Sequence, residues 1–299
     1  MKNFSRSRLG FVFWGLRVYN SIFFLGYPIL GALFAIPDFS PKSMGKIFLF
    51  GVCNVLFLMQ VFLFNDWGDA HLNPEEPFFR GTQALKHPEI ISARGVLILC
   101  LALALISLSG IFYLCFQSGV MITLVGLINI FYSHPRFSLK KHFILPELAH
   151  ISFGFIYFLS GWRLFEPLNS SAVLLAVFFG IILMAGNFAN QIEHFDEELK
   201  TGLRTFAIIF GKRPAYRLSL WLFFLSALYL LLLSLFGPTQ GWLVYPAGFL
   251  IVLWSLSLLY FRGKNLIQNI SKLRRAIRII YALFSIAVML GILLTKNLK

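Results

Sequence analysis

Acidic residues are scarce in this chain, which has 12 Asp and Glu among 299 residues, against 26 Lys and Arg. Charged residues of both signs make up only 13% of the sequence, whereas hydrophobic residues make up 58% and include 35 Phe. A soluble core of this size does not need so many large apolar side chains, and the mean hydropathy of +0.78 indicates a membrane protein. The three cysteines have no metal-ligand spacing, so neither a zinc site nor a disulfide framework is expected (Cys53, Cys100 and Cys115).

Long apolar runs recur along the whole sequence. A helix needs about 20 apolar residues to cross a bilayer, and nine runs approach this length. They cover residues 14–35, 45–64, 95–115, 118–133, 148–164, 171–192, 215–236, 241–261 and 276–295. The sequence therefore predicts an all-α, polytopic membrane protein in which residues 1–299 form a single domain with nine transmembrane helices.

The charges are distributed unevenly between the segments that connect these runs. With the N-terminus inside, the inner segments hold 21 of the 26 Lys and Arg and ten of the twelve acids. This bias predicts a cytoplasmic N-terminus, and we expect the protein in the plasma membrane with its polar chemistry at the cytoplasmic face. The net charge of +14 is then explained by the excess of Lys and Arg in the inner segments, where they are attracted to anionic lipid headgroups. The charge need not indicate nucleic-acid binding, and the sequence contains no visible nucleic-acid motif.

Two acidic clusters each follow the inner end of an apolar run. The first contains a row of residues spaced by four positions: Asn65, Asp69 and Asn73. The second repeats this spacing: Asn190, His194 and Glu198. On a helix, positions i, i+4 and i+8 lie on nearly one face, so each row directs oxygen or nitrogen atoms to one side. Polar rows beside membrane-length apolar runs are costly and usually mark a functional site.

The two clusters are 125 residues apart, and each follows an even-numbered apolar run. Each is also followed by a basic stretch and a further pair of runs. This arrangement predicts a faint internal repeat, which is common in membrane folds. The related halves would be 14–133 and 148–261, with 276–295 as a ninth helix.

Acidic rows and basic loops at one membrane face together suit a phosphorylated lipid. Asn and Asp oxygens are good ligands for Mg²⁺, which proteins often hold with one or two carboxylates and the phosphates of a substrate. Lys and Arg in the adjacent loops can neutralise the remaining phosphate charge. The basic candidates are Arg80, Lys86, Arg94, Lys140, Lys141, Lys200 and Arg204. The sequence thus predicts a site for a lipid diphosphate whose tail lies in the apolar bundle.

Three segments resemble motifs of one known family. Asn65-Asp66-x-x-Asp69-x-x-x-Asn73 is similar to the NDxxDxxxD motif of the UbiA-type intramembrane prenyltransferases. The stretch 132–140 resembles the YSxPxxxLK segment of that superfamily, and 190–211 resembles its second acidic motif followed by KxGxxT…G. The motifs occur in the order found in the family, and the resemblance covers most of the chain. It implies nine helices around a central cavity.

The resemblance also implies an activity: transfer of a prenyl group from a polyprenyl diphosphate to an acceptor. Mg²⁺ and basic side chains would stabilise the departing diphosphate, and the acceptor would attack the allylic cation. The implied catalytic residues are Asp66, Asp69 and Lys140. The implied Mg²⁺ ligands are Asn65, Asp66, Asp69, Asn73, Asn190, His194, Asp196 and Glu198. The implied diphosphate contacts are Arg80, Lys140, Lys141, Lys200 and Arg204. Because the YSxPxxxLK-like segment resembles members that act on quinone precursors, the expected acceptor is an aromatic ring of that kind.

This sequence departs from the family pattern at both clusters. Asn73 stands where the first motif usually ends in Asp, and His194 stands where the second usually begins with Asp. Glu198 replaces the closing Asp of the second motif. Neutral His is a poor Mg²⁺ ligand, so these changes should weaken the second metal site, although Asp196 and Glu197 can compensate.

Two alternative functions stay open at this point. A transporter would also carry intramembrane charges, but its polar residues would lie at the midplane rather than at one face. A diverged family member could bind a prenyl lipid without turning it over, as the substitutions at Asn73 and His194 suggest. Membrane lipid is an expected partner in every case, and the sequence points to no protein partner.

Overall fold

The computed structural model describes residues 16–72, 91–200, 202–261 and 266–297, and within them all regular structure is helical. Ten of the described helices form the bundle: α1 (Val18–Phe24), α2 (Gly26–Ala35), α3 (Pro41–Leu72), α4 (Ala93–Leu114), α5 (Phe116–Ser133), α6 (Leu145–Trp162), α7 (Ser170–Glu193), α10 (Lys212–Phe236), α11 (Val244–Phe261) and α12 (Leu266–Asn297). Two short helices, α8 (Phe195–Lys200) and α9 (Phe206–Phe210), lie between α7 and α10. Two 3₁₀ turns cover Leu139–Lys141 and Gly241–Leu243.

Seven helices within the described residues are long and apolar enough to cross a membrane, which makes the chain a multi-pass membrane protein. Each of the seven overlaps one of the nine apolar runs. The run 14–35 forms the shorter pair α1 and α2, and the run 148–164 forms α6, which is not among the seven. The nine-helix count and the orientation of the N-terminus are therefore not confirmed.

The helix α6 is central to the packing, because it lies between α2 and α7 and contacts both along much of its length. Its contact with α7 depends on glycine: a Cβ added to Gly154 would lie 2.4 Å from the carbonyl oxygen of Phe179. Further along the same interface, the rings of Phe158 and Phe179 stack with their centroids 4.4 Å apart. This close packing fixes α6 and α7 relative to each other, and both helices carry polar residues at one end.

Polar contacts join distant segments at both ends of the bundle. At one end, the ammonium of Lys46 donates to the carbonyl of Leu164 over 2.7 Å, and that of Lys296 donates to the carbonyl of Ile36. The segments predicted to be outer meet here. The acidic clusters lie at the opposite end, where α3 and α7 finish, so the fold gathers the segments predicted to be inner around them.

Candidate functional site

The first acidic cluster is part of the helix α3, which continues beyond the apolar run to Leu72. As the spacing of four predicts, the Nδ2 of Asn65 donates to the Oδ2 of Asp69 over 3.3 Å. The carboxylates of Asp66 and Asp69 are both buried, with exposures of 3% and 4%. Asn73 lies outside the described residues. Buried carboxylates need compensating partners, so the partners of these two define the site.

Lys140 is the partner of Asp69. It lies in the 3₁₀ turn Leu139–Lys141, which follows Ser138 in a left-handed conformation with φ of 39°. Lys140 is itself only 3% exposed. Its ammonium donates to the carboxylate of Asp69 and, over 3.4 Å, to the Oδ1 of Asn65. A cation is thus held where two hard oxygen ligands converge.

The position of Asn65 is fixed by α5, the next helix across. The hydroxyl of Ser133 donates to the Oδ1 of Asn65 over 3.0 Å. The two backbones can approach this closely because residue 68 is glycine: a Cβ there would lie 2.1 Å from the carbonyl oxygen of Ser133. The first motif and the segment 132–140 are therefore joined by direct contacts.

Arg17 is the partner of Asp66. Its Nε donates to Oδ2 over 2.7 Å and its Nη2 donates to Oδ1 over 2.6 Å, a two-point contact between planar groups. From its sequence position alone, Arg17 is one of the inner charges and is not predicted to be a site residue. Its position at the edge of the first apolar run is a signal that could have marked it as a site residue.

The second acidic row is divided between two helices. Asn190 belongs to α7, His194 follows its last residue, and Glu198 belongs to α8. Backbone hydrogen bonds still join the three positions, from the N–H of His194 to Asn190 and from the N–H of Glu198 to His194. Asn190 and His194 are half-buried, whereas Glu198 is 2% exposed.

A chain of buried hydrogen bonds holds the segment that follows Glu198. The hydroxyl of Thr205 donates to the Oε2 of Glu198 over 2.8 Å. Two residues later, the backbone N–H of Ala207 donates to the Oε1 of Gln191 over 3.2 Å. The Nε2 of Gln191 in turn donates to the Oε1 of Glu147 over 2.7 Å. Glu147, at the start of α6, thereby supports the second cluster, although it was not singled out from the sequence.

Arg274, on α12, reaches the second cluster from another side. Its guanidinium pairs with the carboxylate of Glu193, the last residue of α7. The Nε2 of His194 lies 3.7 Å from the same carboxylate. The histidine that departs from the family pattern is therefore next to an Arg–Glu pair.

The structure does not bring all of the sequence candidates together. Asp196 has an 82% exposed side chain that accepts hydrogen bonds from Lys212 over 3.0 and 3.1 Å. Other basic candidates are on the surface or half-buried: Arg94, Lys141, Lys200 and Arg204. Arg80 and Lys86 lie outside the described residues. Within the described part, the best-defined site consists of Asn65, Asp66 and Asp69 with Arg17 and Lys140.

The donor atoms of the first cluster fit Mg²⁺ in their chemistry. Among the described residues there is no group of three or more His, Cys, Asp or Glu that could hold a metal ion. Mg²⁺ does not need such a group, because one or two carboxylates, an amide oxygen, waters and substrate phosphates suffice. The convergence of Asn65 and Asp69 on the ammonium of Lys140 is an arrangement of that kind.

The family model described as the UbiA prenyltransferase family matches residues 24–282. The match covers most of the chain and includes both acidic clusters and the segment 132–140. The chain belongs to the UbiA prenyltransferase family. No curated protein sequence matches it significantly.

Solved structures of similar fold include several members of this family. A UbiA homolog from Archaeoglobus fulgidus bound to GPP and Mg²⁺ is 16% identical, with a TM-score of 0.70 over 93% of this chain and 97% of that one. The apo structure of a UbiA homolog from Aeropyrum pernix K1 is also 16% identical, with a TM-score of 0.65 over 93% and 98%. A structure of digeranylgeranylglyceryl phosphate synthase is 15% identical, with a TM-score of 0.65 over 93% and 95%. At these identities the likeness establishes the UbiA fold.

Proposed function

We propose that this protein transfers a prenyl group from a polyprenyl diphosphate to an aromatic ring of a quinone precursor. The observation that carries the donor half of the proposal is the meeting of Asn65 and Asp69 with the ammonium of Lys140 at one end of a membrane bundle. The aromatic acceptor rests on the resemblance of the segment 132–140 to YSxPxxxLK. Carboxylate, amide and ammonium groups together suit a diphosphate–Mg²⁺ complex. The Archaeoglobus homolog, which binds GPP or DMAPP with Mg²⁺, supports the same ligand class.

In this proposal Asn65, Asp66 and Asp69 hold one Mg²⁺, with Asn73 as a further ligand. Asn190 and Glu198 hold a second, to which His194 and Asp196 are adjacent. When bound, the metal neutralises the charge that develops on the diphosphate as the allylic C–O bond breaks. Of the second set, the buried Glu198 is a better candidate than the exposed Asp196.

The protein's own cations have distinct roles in this scheme. Lys140 binds the diphosphate and also orients Asp69. Arg17 fixes the carboxylate plane of Asp66 through its two-point contact. The remaining diphosphate contacts are proposed from the sequence: Arg80, Lys141, Lys200 and Arg204. Because the inner segments carry most of the positive charge, we place this end of the bundle at the cytoplasmic face of the plasma membrane.

The apolar environment next to these groups favours the reaction. Charges interact more strongly where water is excluded, so fixed cations stabilise a leaving diphosphate better there than in solution. Departure of the diphosphate with its electron pair leaves an allylic cation. The acceptor ring then forms the new carbon–carbon bond and loses a proton.

The proposal is tested by incubating the purified protein in lipid nanodiscs with geranylgeranyl diphosphate and a hydroxylated aromatic acid. Suitable acceptors are 4-hydroxybenzoate and 1,4-dihydroxy-2-naphthoate. We expect a prenylated product by mass spectrometry in the presence of Mg²⁺, and none with a chelator or in Asp69→Asn. Binding of the diphosphate without a product from either acid would contradict the acceptor class. It would favour another acceptor or the non-catalytic alternative.

A further inference from the structure

An open cleft of about 440 Å³ lies between the helices α11 and α12. Its volume is in the range of sites that bind small ligands. Three of its lining side chains are large, apolar and more than half exposed: Leu256 at 58%, Tyr260 at 52% and Ile279 at 53%. In a membrane protein such a surface faces lipid, so the cleft is open to the bilayer.

The lining of the cleft changes from basic to apolar along α12. Lys272 and Arg275 line one end, and because they are three residues apart they lie on one face of the helix. Ile279 lies further along, about 10 Å from Lys272 at 1.5 Å per residue. No acidic residue is among the described residues that line the cleft. The cleft therefore has two cations at one end and an apolar channel that leads away from them along α12.

We propose that this cleft binds one anionic phospholipid. Its phosphate would contact Lys272 and Arg275, and one acyl chain would lie along Leu256 and Ile279. Basic pockets between membrane helices attract anionic headgroups in this way. The polyprenyl diphosphate is a less suitable occupant, because the cleft has no carboxylate for Mg²⁺ and shares no lining residue with the acidic clusters.

The bound lipid would act on a helix that also reaches the candidate functional site. Arg274 lies between the two headgroup cations in sequence, and it pairs with Glu193 at the end of α7. Holding the headgroup at Lys272 and Arg275 would hold this end of α12 in place. The lipid would therefore stabilise the Arg274–Glu193 contact next to the second acidic cluster.

The proposal is tested by native mass spectrometry of the protein with equal amounts of phosphatidylglycerol and phosphatidylcholine of identical chains. Each cation near an anionic headgroup contributes a factor of about five in affinity. In the wild type we expect the amount of bound phosphatidylglycerol to exceed that of bound phosphatidylcholine by about 10- to 25-fold. The variant Lys272→Gln/Arg275→Gln should lose this preference. Leu256→Trp, which fills the apolar end without a change in charge, should reduce retention of both lipids.

A matched control is Arg213→Gln/Arg217→Gln on α10. It removes the same charge from exposed positions that do not line the cleft, and it should keep the wild-type preference. The proposal is wrong if the wild type retains both lipids equally, or if the control and the cleft variant lose the preference alike. It is also wrong if geranylgeranyl diphosphate displaces phosphatidylglycerol one for one, because the cleft would then be a donor site.

Discussion

Lys140 donates a hydrogen bond to Asp69, a residue 71 positions earlier in the chain, and both side chains are almost completely buried. An ion pair in such a place is costly to desolvate, so it contributes little to stability beyond what two apolar side chains would give. Removing only one partner is different, because it leaves an uncompensated buried charge. The pair therefore suggests a functional role, and its energetics can be measured.

A double-mutant cycle on this pair should show strong coupling. We expect Lys140→Met and Asp69→Asn each to lower the free energy of unfolding, Lys140→Met by about 3–5 kcal/mol because it strands the carboxylate. The double variant should lose less than the sum, with a coupling of about 1–3 kcal/mol. Denaturant unfolding in mixed micelles measures these values.

Lys141→Met, at the half-buried neighbouring position, should change stability by less than about 0.5 kcal/mol. Additive losses would contradict direct coupling.

Gly68→Ala should damage the site without removing any polar group. The added Cβ would meet the carbonyl oxygen of Ser133 at 2.1 Å, so α3 and α5 must separate and Asn65 must lose its contact with Ser133. We expect affinity for geranylgeranyl diphosphate to fall at least tenfold in calorimetry. Gly45→Ala is the matched control on the same helix, because a Cβ there meets nothing within 4 Å. Equal affinity in the two variants would be inconsistent with the role assigned to this close approach.

Two substitutions of Glu147 should have different effects. Glu147→Gln keeps an oxygen that accepts the hydrogen bond from the Nε2 of Gln191. Glu147→Ala removes this acceptor, so the side chain of Gln191 loses the contact that holds it. If Glu147 acts by positioning the second cluster, the alanine variant should need several-fold more Mg²⁺ for half-maximal prenyl transfer, and the glutamine variant should stay within about twofold of the wild type. Loss of transfer in both variants would instead mean that the negative charge of Glu147 is required.

Glu198 and Asp196 should also differ, although they are two residues apart. Glu198→Gln changes a buried carboxylate held by Thr205, and we expect at least a tenfold loss in transfer at limiting Mg²⁺. Asp196→Asn changes an exposed group, whose pair with Lys212 contributes at most about 1 kcal/mol. Transfer by this variant should be within about twofold of the wild type. A loss as large as that of Glu198→Gln would place Asp196 among the metal ligands.

The sequence is informative where the relevant spacing is local. The contact between Asn65 and Asp69 follows from helical periodicity, and the structure confirms it. The apolar pattern also locates α3, but it ends at residue 64, whereas the helix continues to Leu72. An apolar run ends where the helix leaves the bilayer, whereas the helix itself ends where its backbone hydrogen bonds end. Hydropathy therefore does not detect the polar last turns of α3.

Contacts between distant segments could not be predicted from spacing. Arg17 and Asp66 are 49 positions apart, and only the fold shows that they meet. The second acidic row is only partly an example. Glu198 holds a row position and is buried, whereas Asp196 is outside the row and exposed, as the spacing of four predicts; only the fold shows that Thr205 is the partner of Glu198. Charge and position make Lys140 and Lys141 equal candidates, and only the resemblance of 132–140 to the YSxPxxxLK segment distinguishes Lys140 from its neighbour.

The most direct test of the proposed donor site is calorimetric binding of geranylgeranyl diphosphate to the protein in lipid nanodiscs, with Mg²⁺ and with a chelator. The wild type should bind tightly only with Mg²⁺, and Asp69→Asn should bind at least tenfold more weakly. Asp38→Asn, the same change at an exposed position outside the bundle, should bind like the wild type. Tight binding by Asp69→Asn, or by the wild type in chelator, would contradict a metal-dependent diphosphate site at Asp69.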